Sequence, residues 1–221
     1  MQEFSGLLTA TVFLPLGGAL LIALFLRGDQ RVRYFSSIIV LAELVLSAIV
    51  FSKYDTNGDR FQHVDRISNW IPDSALNVEY FLAVDGLSAP LVFLTGLLGL
   101  CAVFASWGIR HRVREYFVWL LVLETSVMGV FVSLDFVLFF LMWELELLPM
   151  FFLISIWGSG RKEYSAMKFL IFTFLGSGFM LVGILVLFFS VGTFDMTLLP
   201  AEIQAGTLIM PAGIVFTLLI I

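Results

Sequence analysis

Residues 135–150 read DFVLFFLMWELELLPM. Two acids, Glu144 and Glu146, stand in a run that is otherwise as apolar as hydrocarbon. A charged residue at the centre of a bilayer-spanning helix costs about 2.5–3.5 kcal/mol on insertion scales, so acids placed there need a reason if the run is a span. The composition says that it is. Of 221 residues, 60% are hydrophobic and 13% charged, against about 25% charged in soluble domains. Mean hydropathy is +1.03. Such a chain cannot cover a water-facing surface, and it reads as an integral membrane protein lying in the lipid bilayer. The net charge of −5 therefore points to no nucleic-acid partner, and the charges matter by where they fall.

A need for about 20 apolar residues per span predicts helices near 7–26, 34–52, 87–107, 116–134, 136–157 and 169–191, with a further one from about 208 to 221. The fold class expected is all-α, a polytopic transmembrane bundle forming a single domain over 1–221. The last run is too short to cross, and truncation within a seventh helix is expected. Residues 53–86 form a long external loop, with Trp70, Tyr80 and Phe81 available for the interface. The N-terminus carries Glu3 where a signal peptide would be cationic, so it reads as the start of the first span.

Orientation follows from Lys and Arg. Connections after the first, third and fifth spans hold Arg27, Arg31, Arg33, Arg110, Arg112, Arg114, Arg161, Lys162 and Lys168, whereas the other side holds Lys53, Arg60 and Arg66. The positive-inside rule puts the first group in the cytoplasm and the N-terminus outside. Asp55, Asp59, Asp65, Asp73, Glu79, Asp85, Asp195 and Glu202 fall on the outer side.

Redox ligands are scarce. His63 and His111 both lie outside the spans, and Cys101 is the single cysteine, expected as a small buried hydrophobe. No haem, iron–sulfur cluster or other cofactor, and no metal, is expected in this chain. The spans hold acid instead: Glu43 in the second, Glu124 in the fourth, Glu144 and Glu146 in the fifth. Glu124 and Glu144 each lie eight residues, about 12 Å, into their helices and hence near mid-membrane. Glu144 and Glu146 point about 200° apart and need separate partners. Pro149 has no N–H for the carbonyl of Leu145, which leaves a polar backbone group beside Glu144. Gly176, Ser177 and Gly178 allow close helix packing or room for water. Asp85 and Asp135 directly precede helices and read first as N-caps.

The stretch LDFVLFFLMWELELLPMFFLISIWGSGRKEYSAMKFLIFT, with VDGLSAPLVFLTG at 84–96, strongly resembles the antiporter-like, proton-translocating membrane subunit M (chain 4) family of NADH-quinone oxidoreductase, respiratory complex I. The WE…LLP spacing distinguishes it from the sister subunits L and N, and the WELEL form is similar to the chloroplast and cyanobacterial branch. The resemblance implies an antiporter-like fold of roughly fourteen helices, of which this is the N-terminal portion. It implies that Glu144 pairs with a seventh-helix lysine, expected within about ten to twenty residues after Ile221. That pair would gate protons and internal water into a hydrated axis, coupled to NADH oxidation and quinone reduction elsewhere in the complex. Glu124 is a further candidate, either in translocation or as an acid satisfied within the bundle. Lys168 matches a family lysine, either functional or a positive-inside anchor. Neighbouring complex I membrane subunits, of the L and N type, are the implied partners, and a bacterial inner membrane or a thylakoid the implied location. Two other functions compete: a subunit of a related cation/proton antiporter or membrane-bound hydrogenase, and a passive membrane scaffold.

Overall fold

The computed structural model describes residues 5–68, 70, 78–204 and 210–220. Glu3, Asp73 and the beginning of the last apolar run near 208 lie outside them. Among the described residues, six helices are long and apolar enough to cross a membrane: α1 (Leu7–Leu24), α2 (Asp29–Ser52), α3 (Ser88–Ala105, extended by a 3₁₀ turn to Gly108), α4 (Val113–Val132), α5 (Phe136–Trp157) and α6 (Lys162–Val191). Apart from α2 and α4, whose inner stripes are the more polar, they are apolar nearly all round. With lipid as the outer solvent a helix needs no polar face, only internal satisfaction of its backbone.

The helix ends differ from the hydropathy pattern in one systematic way. α2 starts at Asp29 rather than near 34, and α6 at Lys162 rather than 169. Hydropathy locates the hydrocarbon, whereas good helix formers in KEYSAMK continue the helix beyond it. At 30 residues, α6 is about 45 Å long against a hydrocarbon core of about 30 Å, so its first turns stand in the interfacial region. The final apolar run contains α8 (Ala212–Ile220), preceded by a short α7 (Leu199–Gln204).

The segment between α2 and α3 is not simply a loop. It folds into an antiparallel ribbon of β1 (Gln62–Ile67) and β2 (Tyr80–Val84), with a register shift between Gln62 and Asp65 where His63 takes φ +54°. β2 is buried throughout. Tyr80 and Phe81, expected at the membrane interface, are therefore interior, while Trp70 is exposed. The run YFLAV is short and uniformly apolar, a pattern that suits a strand buried on both faces.

This ribbon joins the ends of several helices. Asp65, fully buried, accepts hydrogen bonds from Ser5 Oγ (2.9 Å), Gly6 N (2.7 Å), Thr9 N (2.9 Å) and Thr9 Oγ1 (2.8 Å). It caps α1 from outside the helix, because Gly6 at the N-cap has no side chain to do so. Leu134 N donates to Phe81 O at 2.9 Å, and Phe136 N to Phe194 O at 3.0 Å. Arg66 pairs with Glu79 at 2.5 Å and Asp195 at 3.1 Å, and lies 4.5 Å over the Phe81 ring.

Both expected caps form. Asp135 accepts from Val137 N and Leu138 N at 2.9 and 3.1 Å, and its other oxygen takes Glu79 N at 3.2 Å. Burial pushes its carboxyl above the usual carboxylate range, and those hydrogen bonds oppose the shift. Asp85 accepts from Leu87 N and Ser88 N, while Asp85 N donates in return to Ser88 Oγ. Cys101 departs from expectation: it is exposed on α3. In a span the lipid-facing surface is as apolar as the interior, so hydropathy could not tell the two apart.

Candidate functional site

The mid-span acids fall on different sides of the bundle, and side-chain contacts fix which. α4 meets α5 through Trp119, stacked on Phe152 at 4.5 Å, and through Gly129, where an added Cβ would lie 2.6 Å from Met142 Sδ. Trp119 and Gly129 each lie about 140° around α4 from Glu124, one on either side. Glu124 is thus on the back of α4 with respect to α5. The structure does not bring Glu124 and Glu144 together.

On α5, Met142 and Phe152 mark the α4-facing side, and Phe136, Phe139, Phe140 and Trp143 face α6. Glu144 points about 120° from the first direction and about 90° from the second, into the middle of the arc that neither helix covers. Leu141 and Leu148 share that arc and are 46% and 52% exposed. Glu146 points instead into the crevice between α4 and α6. The two acids are both half-buried.

Glu144 Oε1 is buried with no hydrogen-bond partner among the described residues. Pro149 lies inside α5 and is buried, so the carbonyl of Leu145 has no intrahelical N–H. An unpartnered carboxyl oxygen and a backbone oxygen that lacks its usual donor four residues on thus occur on consecutive residues at mid-membrane. Groups of this kind are held in apolar surroundings only at a cost of about 1–3 kcal/mol each unless water or a side chain reaches them.

Lys168 is exposed in the first turns of α6 and takes part in none of the ion pairs found among the described residues, Arg66–Glu79, Arg66–Asp195 and Arg112–Glu115. It stands about 9 Å from the start of α6, whereas Glu144 is about 20 Å from the neighbouring end of α5. A direct Glu144–Lys168 pair is therefore not formed in this arrangement. Of the small residues of α6, Gly178 is exposed and a Cβ there would touch nothing within 4 Å, while Gly176 and the buried Ser177 line a cavity of about 240 Å³ against Leu219.

The sequence leaves Glu124 open between translocation and satisfaction within the bundle, and among the described residues the one polar group facing it is another acid. Its carboxyl approaches that of Glu43 on α2 and interacts with it, yet none of the four oxygens has a hydrogen bond of ordinary geometry. Glu43 is fully buried and Glu124 nearly so. Sequence reasoning placed both acids within spans but could not pair them. The readable signal was Gly96-Leu-Leu-Gly99 on α3, which lets α2 and α4 come close there.

Residues 133–221 match the family described as NADH:quinone oxidoreductase/Mrp antiporter, transmembrane. Chain 4 2 of the NAD(P)H-quinone oxidoreductase of Thermosynechococcus vestitus is 41% identical over 193 residues, covering 86% of this chain and 36% of that protein. Chain 4-2 from a Synechocystis strain is 42% identical over 200 residues, covering 89% and 35%. The chain thus spans about a third of the length of these curated relatives. Among solved structures, the archaeal membrane-bound sulfane sulfur reductase superposes with a TM-score of 0.80 at 19% identity, over 96% of this chain and 32% of the other. Respiratory complex I from Thermus thermophilus with bound NADH gives 0.75 at 22% identity, over 88% and 39%. Sequence matches and shared fold together place this chain among the antiporter-like membrane subunits related to chain 4 of NAD(P)H-quinone oxidoreductase.

Proposed function

We propose that the chain is part of a proton-translocating subunit of a complex I-type NAD(P)H-quinone oxidoreductase, and that Glu144 is the proton-carrying group in this portion. The observation that carries the reading is the position of Glu144: mid-span, on the open arc of α5, with a buried unpartnered oxygen beside the carbonyl that Pro149 frees. A cation from a further helix has room to approach there. A carboxyl taken out of water favours its neutral form and an adjacent ammonium favours the charged form. Moving a lysine toward and away from Glu144 would therefore release and take up a proton. Electron transfer elsewhere in the assembly would drive that movement. Proton uptake by membranes carrying the assembled complex, with Glu144 intact or replaced, is the test.

Neighbouring antiporter-like and quinone-binding membrane subunits are the proposed partners. A plasma or thylakoid membrane is the proposed location, by analogy with the cyanobacterial relatives. The arginine-rich end, with Arg33 donating to Ile109 O at 2.7 Å and Trp157 to His111 O at 2.7 Å, is assigned to the cytoplasmic or stromal side. This orientation gives a direct expectation. In a Cys101→Ser background, a cysteine at position 58 reacts with an impermeant thiol reagent added outside, and one at 111 only after the inner side is opened. Labelling in the reverse pattern would invert the topology.

A further inference from the structure

A further pair of acids lies on the other side of the bundle. We propose that Glu43 and Glu124 form a carboxyl pair that holds a proton between them and is reached from the lipid face through the groove between α3 and α4. The proposal does not depend on the role of Glu144, since α4 separates the two sites.

Three independent features support it. The carboxyls meet from α2 and α4, Glu43 with no exposed surface and Glu124 with 6%, and no other group satisfies them. Among the described residues no countercharge is at hand. Neither α1 nor α3, which pack against these helices, carries a charged residue. On α2 the nearest cation to Glu43 is Arg33, ten residues or about 15 Å away, and on α4 the nearest to Glu124 is Arg114, at the same spacing. α5 brings only further acids, Glu144 and Glu146, on the far side of α4. Two adjacent carboxylates without a cation repel, and burial penalises each of them, so a proton held between them removes one of the two charges and the repulsion with it.

The third feature is a cradle. A Cβ on Gly99 would fall 1.5 Å from Glu124 Oε1, so a larger residue there would push the carboxyl out of its present place against α3. One turn away on α3, Gly96 makes the same allowance for Ser47, on the face of α2 that carries Glu43. The groove above Glu124 has a volume of about 330 Å³. Leu94, Leu98, Leu120, Val127 and Phe131 line it, with Leu94 and Leu98 exposed at its mouth. Its walls are apolar and its floor is acidic, which suits entry of an apolar, carboxyl-reactive molecule from the bilayer.

A hydrophobic carbodiimide is such a molecule, and it reacts with neutral carboxyls: the O–H adds across one C=N bond, and the adduct rearranges to a stable N-acylurea with no leaving group. In membranes carrying the assembled complex, dicyclohexylcarbodiimide at neutral pH is expected to modify Glu124, as read by mass spectrometry of its peptide. Absence of the adduct on Glu124 overturns the proposal. Infrared spectra give the second reading. The Glu43→Gln/Glu124→Gln double variant is expected to lose neutral-carboxyl C=O absorbance equal to one or two groups per chain. No loss means that the pair is ionised, and overturns it. If the double variant does not accumulate, the adduct on the unaltered protein still decides. Glu144→Gln should leave the Glu124 adduct unchanged, so the fate of this site is read separately from that of Glu144.

Discussion

Replacing Glu144 by Gln is expected to abolish most proton pumping in the assembled complex while leaving assembly intact. The amide keeps the shape of the carboxyl and can donate and accept hydrogen bonds, but it cannot carry a proton on and off. Removing a positioned proton-transfer group costs typically two or more orders of magnitude in the step it serves. Glu144→Asp keeps the acid and withdraws it by one methylene, so partial pumping is expected. Glu146, in the crevice between α4 and α6, should tolerate Gln with a small loss. Pro149→Ala gives a result in between, because it restores a hydrogen bond to the Leu145 carbonyl and removes a polar group beside Glu144 without touching an acid. The measurement is proton uptake in reconstituted membranes, with complex content checked on native gels. Full pumping by the Glu144→Gln protein would show that the acid is structural.

The largest expected effect on stability lies far from any mid-span acid. Asp65→Ala should lower stability by about 3–5 kcal/mol, because it leaves several donors around a fully buried position without an acceptor. Asp65→Asn should cost less, since one oxygen remains. Asp55, exposed in the same segment and accepting from Asn57 N at 2.9 Å, serves as control: Asp55→Ala should change stability by less than about 1 kcal/mol. Thermal denaturation of the detergent-solubilised complex checks this, and equal melting of the Asp65→Ala and Asp55→Ala proteins would remove the capping role.

The asymmetry between these predictions reflects what was legible. Helices follow from hydropathy because a span announces itself by length, so α5 begins and ends where the apolar run does. Asp135 was readable as a cap because the cap is local, two and three residues from its donors. Asp65 was not, because its donors lie 56 to 60 residues away and nothing in the local pattern of a polar segment announces a long-range cap. The ribbon was missed for a related reason: β2 is five residues long, too short for periodicity to speak, and its partner strand is mostly polar. The mid-span acids were visible one by one as exceptions to hydropathy. Which of them meet is decided by helix rotation: angular arithmetic along α5 sends Glu144 and Glu146 to different faces, whereas no such arithmetic reaches from Glu43 to Glu124 across two helices.

The β-ribbon end of the bundle is stitched by backbone and side-chain bonds from α1, α4, α5 and the segment after α6, while the arginine-rich end has fewer cross-ties among the described residues. That makes the ribbon a fulcrum. A tilt of α5 by about 5° about its ribbon end would carry the opposite end through about 3 Å, but Glu144, about 12 Å from the fulcrum, through only about 1 Å. A displacement of about 1 Å is enough to make or break a hydrogen bond. The leverage runs in one direction: a coarse push on the loosely tied end arrives at the carboxyl as a fine adjustment.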